Sequence, residues 1–158
     1  MKVEFIRVSK KNRKILYKLR VFKHQKRHIE TVYESIKEAR KIKCWCPIGI
    51  KIDNKYVGFA MYGLWLKEGT KGRVWLDRFM IDSRYQNKGY SKIVMPLLIE
   101  KIKNKYGYNK LYLSVYQDNI IAINFYEKLG FLFNGEKDIN GELIMVKNFT
   151  EEQNEYRF

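Results

Sequence analysis

GRVWLDRFMIDSRYQNKGYSKIVMPLLIEKI, residues 72–102, holds the architecture in miniature. Arg73–Ile81 is a short run of apolar and β-favouring residues bounded by Gly72 and Asp82, which predicts a strand. A polar stretch with Gly89 follows, and then Ser91–Tyr106 repeats apolar residues at helical spacing (Ile93, Leu97, Leu98, Ile102) until Gly107 closes it. Pro96 falls inside that helix, where it removes a backbone donor, so a kinked helix is expected. Lys110–Tyr116 reads as the next strand. Strand, helix and strand together are long enough for a right-handed parallel crossover. Ligands of such sheets collect beyond the carboxyl ends of the parallel strands, here the residues after Ile81 and after Val115.

Working outward, Val3, Phe5, Ile6 and Val8 suggest a first strand, and Ile15–Phe22 and Ile29–Ile42 two helices. The second helix carries Ile29, Val32, Tyr33, Ile36 and Ala39 on one stripe. Pro47–Ile52 and Lys55–Trp65, joined by Asp53-Asn54, form a hairpin pattern. Ile120–Leu129 predicts a helix, and Phe131–Asn134 and Glu142–Lys147 a closing pair of strands around Asn140-Gly141. The order β-α-α-β-β-β-α-β-α-β-β, without repeat or linker, predicts one α/β (α+β) domain over residues 1–158.

Composition narrows the class. No apolar run approaches the roughly 20 residues that cross a bilayer, and the amino terminus has no apolar leader core, so a cytoplasmic protein with no membrane partner is expected. Cys44 and Cys46 stand one residue apart, too close for an unstrained bridge, and no His or second Cys pair completes a zinc site; two reduced thiols and no metal are expected. The net charge is +15, and residues 1–29 hold eleven Lys or Arg against the single acid Glu4. Such a segment attracts nucleic acid, anionic lipid or a phosphorylated cofactor, although a merely solvated lysine-rich surface is the plainer alternative.

Two constellations carry chemistry. Gln86-Asn87-Lys88-Gly89-Tyr90-Ser91 places a glycine and a small residue where a loop enters a helix. The N–H groups of a first helical turn have no intrahelical partners, and the dipole adds positive potential there. Gly89 lets a bulky anion approach the backbone, and Arg84, Lys88 and Lys92 add full charges, so the physics favours a pyrophosphate. The second is SVYQDNIIAINFYEKLGF, residues 114–131, in which Asp118 or Asn119 can cap the helix and Gly130 can end it. Tyr126 lies seven residues, about two turns, beyond Asn119, so both can share a face. Core packing competes with function for Tyr126.

Together these motifs resemble the GNAT N-acetyltransferases. Gln86-x-x-Gly89-x-Ser91 matches the family's Arg/Gln-x-x-Gly-x-Gly/Ala loop except at its last place, where Ser91 is still small. Asn119, Ala122, Tyr126, Gly130 and Phe131 match the later Asn-x-x-Ala-x-x-x-Tyr-x-x-x-Gly-Phe pattern without a gap. The similarity runs over nearly the whole chain, most closely at GFAMYG, GRVWLDRFMID, RYQNKG and FNGEKDINGE, and in those stretches the chain looks like the bacterial spermine/spermidine acetyltransferases. It implies a GNAT domain with a mixed, mostly antiparallel sheet around the parallel crossover, and acetyl-CoA as co-substrate. Backbone groups of Phe79, Met80 and Ile81 would meet the pantetheine arm and polarise the thioester carbonyl. Gln86, Asn87, Lys88, Gly89, Tyr90 and Ser91 would hold the pyrophosphate, Asn119 would contact the cofactor arm, and Tyr126 would protonate the departing thiolate.

The acceptor implied is a small-molecule primary amine, a polyamine such as spermine or spermidine. A primary amine is mostly protonated at neutral pH and must lose a proton before it attacks. Glu30 and Glu34, read as one helical turn apart, and Asp77 on the central strand are the candidate bases; each can instead be solvated or paired, Asp77 with Arg78 or Arg73. Trp45, Tyr62 and Trp65 can wall an amine pocket or pack in the core. Competing readings are acetylation of a protein amino terminus, an antibiotic or another metabolite, and a non-catalytic basic nucleic-acid-binding module. No known nucleic-acid motif supports the last, so no nucleic-acid partner is expected; a homodimer is compatible with the rest.

Overall fold

A computed structural model of the chain describes residues 1–149. Seven strands form one mixed sheet in the order β1-β2-β3-β4-β5-β7-β6. They are β1 (Val3–Arg7), β2 (Trp45–Ile52), β3 (Lys55–Trp65), β4 (Arg73–Ile81), β5 (Lys110–Val115), β6 (Leu132–Lys137) and β7 (Leu143–Asn148). The helices are α1 (Arg13–Leu16), α2 (Val32–Lys41), α3 (Tyr90–Tyr106) and α4 (Ile120–Lys128), with short 3-10 turns at Lys23–His28 and Ser83–Tyr85. The expected parallel crossover is present: β4 and β5 run parallel, with Trp75 opposite Tyr112, and the other recorded pairings are antiparallel. Asp53 and Asn54 both take positive φ (48° and 68°), the conformation that a two-residue hairpin turn demands.

The chain forms two compact units, Met1–Gly63 with Leu76–Ile99, and Leu64–Trp75 with the described residues from Glu100 on. In the first, Leu16, Leu19, Val32 and Ile36 bury against Phe59, Met61 and Met80 of the sheet. In the second, β5 and β7 pair over their full lengths, from Lys110 opposite Asn148 to Val115 opposite Leu143. β6 lies at the end of the strand order with all six residues exposed, and its register against β7 shifts between Phe133 and Lys137. Its Glu136 is held by both terminal nitrogens of Arg73 at 2.6 and 2.9 Å, and that guanidinium lies 4.5 Å over the Tyr112 ring.

Three expectations need correction. The first helix does not run over Ile15–Phe22; it stops at Leu16. Another turn would need the Arg20 N–H to donate to Leu16, but that N–H donates to the Asp82 carboxylate at 2.9 Å, while the Arg20 carbonyl accepts from Ser83. A tertiary contact overrides the local pattern. The second helix begins at Val32, not Ile29, because the Thr31 hydroxyl accepts from the Glu34 N–H and caps it. Glu30 therefore precedes the helix and is not one helical turn from Glu34. In α3 the buried stripe is Val94, Met95, Leu98, Ile99 and Ile102, whereas Ile93 and Leu97 are exposed. Pro96 is exposed too, so the carbonyl that its missing N–H leaves without a helical partner lies on the side facing water; α3 continues through it.

Candidate active site

The end of β4 is anchored before the glycine loop begins. Asp82 is 1% exposed; its N–H donates to the Val57 carbonyl at 2.7 Å. Its carboxylate accepts from the Arg20 N–H, the Arg84 N–H and Arg84 Nε at 2.8–3.0 Å. Burial alone would raise its pKa, but the hydrogen bonds from Arg84 and Arg20 outweigh that and hold it below the ordinary carboxylate value. Asp82 thus fixes the turn Ser83–Tyr85 from which the loop departs.

Gln86 opens the loop with its side chain turned inward. Its Nε2 donates to the Ile81 carbonyl and to Gln25 Oε1, each at 2.9 Å, and Gln25 Nε2 donates back to Gln86 Oε1 at 3.0 Å. Gln25 Oε1 also accepts from the Phe22 N–H. Asn87 and Gly89 then take positive φ (62° and 78°), on either side of Lys88, and α3 starts at Tyr90 with no acidic residue in its first turn. A Cβ at Gly89 would meet no atom within 4 Å. Asn87, Lys88 and Gly89 are exposed, and Arg84 and Lys88 lie 5.4 and 5.7 Å from the Tyr85 ring centre. The result is a short, cation-flanked backbone turn at a helix entry, with open space where a glycine side chain would be, which fits a phosphate group. Of the preceding strand residues, Met80 and Ile81 are buried and Phe79 is half-buried.

Two of the three candidate bases come together around Arg78, a side chain 11% exposed. Its Nη1 is paired with the Asp77 carboxylate, its Nη2 lies 2.7 Å from Glu38, and its Nε lies 2.9 Å from Glu30. Three carboxylates thus share one guanidinium, a local excess of negative charge in a strongly basic chain. Glu34 is not among them: its carboxylate accepts from the Thr31 hydroxyl at 2.9 Å. Glu38 extends the Glu30, Glu34 spacing by four residues; that continuation was the available signal for it, while the long-range part of the Arg78 cluster leaves none. Trp45 packs against the core, Tyr62 is 1% exposed, and Trp65 is half-buried.

In the second unit, Asn119 caps α4, its Oδ1 accepting from the Ala122 N–H at 3.3 Å. The helix ends in a Schellman motif around Gly130 at φ +94°: the Phe131 N–H donates to the Tyr126 carbonyl and the Gly130 N–H to the Glu127 carbonyl, both at 3.0 Å. The matching apolar contact is Tyr126 against fully buried Phe131, rings edge-on with centroids 5.6 Å apart. Lys147 Nζ donates to the Leu129 carbonyl at 2.7 Å, completing the cap from β7. The Gly-Phe ending of the motif is thus the device that fixes Tyr126. That residue is half-buried as a whole, and desolvation pushes its phenol well above the ordinary tyrosine value, so it stays protonated throughout the neutral range.

Residues 13–131 match the acetyltransferase (GNAT) family, and the chain belongs to that family. It is an N-acetyltransferase. A spermine/spermidine N(1)-acetyltransferase of Bacillus subtilis (strain 168) is 40% identical over 150 residues, which cover 93% of this chain and 99% of that protein. Among solved structures, aminoglycoside acetyltransferase AAC(6')-Ib in complex with coenzyme A shares the fold with a TM-score of 0.80 at 18% identity, over 97% of this chain and 98% of the other. A spermidine N-acetyltransferase SpeG chimera, from Vibrio cholerae and hSSAT, does so with a TM-score of 0.72 at 15% identity, over 98% and 99%. No described helix is long and apolar enough to cross a membrane.

Proposed function

We propose that this chain acetylates a polyamine, spermine or spermidine, with acetyl-CoA as donor. The observation that carries the reading is the 40% identity to a spermine/spermidine N(1)-acetyltransferase over 93% of the chain. The loop chemistry supports the donor: Gln86–Ser91 would receive the pyrophosphate on backbone N–H groups, and β4 residues Phe79–Ile81 would line the pantetheine arm. Asn119 would contact the cofactor arm. A β4 N–H in Phe79–Ile81 would polarise the thioester carbonyl as the amine attacks.

Proton balance assigns the remaining roles. The acceptor ammonium gives up one proton to Glu30, Glu34 or Asp77, directly or through water, and the neutral amine attacks. The departing thiolate takes one proton from Tyr126, and the tyrosinate regains one, through water, from the nitrogen, which sheds its second proton as the tetrahedral intermediate collapses to the amide. Desolvation raises the Tyr126 phenol; a thiolate in the same dry surroundings is raised with it, so the two stay closer in proton affinity than the phenol's value alone implies. The carboxylates around Arg78 give a polycation a local acidic target despite the net charge of +15, because contacts inside a cleft are screened far less than charges beyond about 8 Å at physiological salt.

The test is a substrate panel read by release of free thiol from acetyl-CoA. Spermine and spermidine should be turned over with the highest specificity constants. Replacing Glu30 and Glu34 by Gln should raise KM for spermine more than for a simple monoamine. Turnover of an aminoglycoside or peptide amine with none of a polyamine would leave the family membership intact and overturn the acceptor.

A further inference from the structure

The basic amino-terminal segment has a place in the fold that its composition alone does not suggest. Residues 20–28, RVFKHQKRH, are clasped to residues 82–86 at four points. The Arg20 N–H donates to Asp82, the Ser83 N–H donates to the Arg20 carbonyl, and the Gln25 and Gln86 amides exchange two hydrogen bonds. Between them, residues 20–28 and 82–92 carry Arg20, Lys23, Lys26, Arg27, Arg84, Lys88 and Lys92 against one acid, Asp82, which is already neutralised by Arg84. Lys23, Lys26 and Arg27 are exposed, as are Lys88 and Lys92.

We propose that the Lys23–His28 turn is the outer wall of the cofactor's phosphate site, with Lys23, Lys26 and Arg27 drawing in and holding the phosphate-bearing nucleotide end of coenzyme A. The proposal rests on the reading of Gln86–Ser91 as the pyrophosphate loop. A 3-10 turn rises about 2 Å per residue, so the backbones of Lys23 and Lys26 stand about 6 Å apart with Gln25 between them. Both therefore flank Gln25, the residue of the clasp, and a long side chain from either can bring its charge to within about one screening length, roughly 8 Å at physiological salt, of an anion on the loop. At that range cations act on an incoming anion both before and after contact. A nucleic-acid backbone needs positive charge spread along a face. Here the cations gather around a single loop that itself offers helix-entry N–H groups, which suits a compact polyphosphate.

Gln25 is the positioning residue of this wall. It touches the loop through Gln86 and fixes its own turn through the Phe22 N–H.

The experiment is titration calorimetry of the full chain with coenzyme A, dephospho-coenzyme A and pantetheine over a range of salt. It compares the parent protein, the exposed-surface triple variant Lys23→Gln/Lys26→Gln/Arg27→Gln, Gln25→Leu and Gly89→Asp. The triple variant should melt like the parent yet bind coenzyme A at least about tenfold more weakly, with a shallower salt dependence and unchanged pantetheine binding. Gln25→Leu should weaken coenzyme A while leaving KM for the amine unchanged. Parent-like coenzyme A affinity in the triple variant, with Gly89→Asp defective, overturns the wall and spares the loop. Parent-like affinity in Gly89→Asp overturns the loop reading itself. If the parent binds a 20-base-pair DNA duplex at physiological salt, and the triple variant loses that but keeps coenzyme A, the segment serves nucleic acid and the proposal fails.

Discussion

Tyr126 and Arg78 pose opposite electrostatic problems at the scale of single residues. Desolvation keeps the Tyr126 phenol protonated well past the ordinary value near 10. Tyr126→Phe should therefore lower kcat by about tenfold or more with coenzyme A affinity nearly unchanged. The parent's pH–rate profile should show no falling limb from this group below about pH 10, since a raised phenol loses its proton only above its unperturbed value. Single-turnover acetylation across pH checks both; a full-rate Phe variant would reduce Tyr126 to a packing residue. Arg78, by contrast, is a charge that its surroundings require. Arg78→Met removes the cation that Asp77, Glu30 and Glu38 share and should cost about 1–2 kcal/mol, less than loss of one partner of a fully buried pair, because those carboxylates reach water. Urea unfolding measures this, and a variant within about 0.5 kcal/mol of the parent would mean the carboxylates simply turn to water.

Among the elements, the two motif segments were the most legible, and for a physical reason. Positive φ at the Asp53-Asn54 turn and at Gly89 and Gly130, capping by Asn119, and the Tyr126–Phe131 contact are all encoded within about five residues of chain. Elements whose limits depend on distant partners were not. Nothing near Arg20 announces that its N–H belongs to Asp82, 62 residues away, so the local pattern overextends α1; nothing near Gln25 announces Gln86. Ile29 fits the apolar stripe and so draws Glu30 into the helical pattern, although the Thr31 cap excludes both. Of the candidate site, the glycine loop could be read from the chain, whereas the Arg78 cluster joins residues up to 48 positions apart. Local devices also give the clearest element-scale test. Gly130→Ala forces a side chain into φ +94° and brings a Cβ to 2.9 Å from Lys147 Nζ. It should cost about 1–2 kcal/mol and lower kcat alongside, because the same cap holds Tyr126. Loss of stability with full kcat would separate the cap from catalysis.

For the whole molecule, the response to acid follows from Asp82. Its folded pKa lies below the ordinary value near 3.9, so its contribution is fully present above that value and is lost as pH falls through the depressed one. Between about pH 5 and pH 2 the parent's urea midpoint should drop more steeply than that of Asp82→Asn, which is less stable at neutrality. Equal slopes would assign acid lability to other carboxylates.

The exposed strand β6 bears on how the protein behaves at high concentration. An end strand with Leu132 and Phe133 open to water is a template for stacking one molecule on the next, and two features oppose it: the net charge of +15 and the break in register between Phe133 and Lys137. Only the first is weakened by salt. In concentrated salt, therefore, colloidal stability comes down to that one irregularity: deleting Asn134 and Gly135, which matches the four steps from Phe133 to Lys137 to the two from Met145 to Leu143, should give a protein that is clear in dilute buffer and scatters light as ionic strength rises, while the parent stays clear.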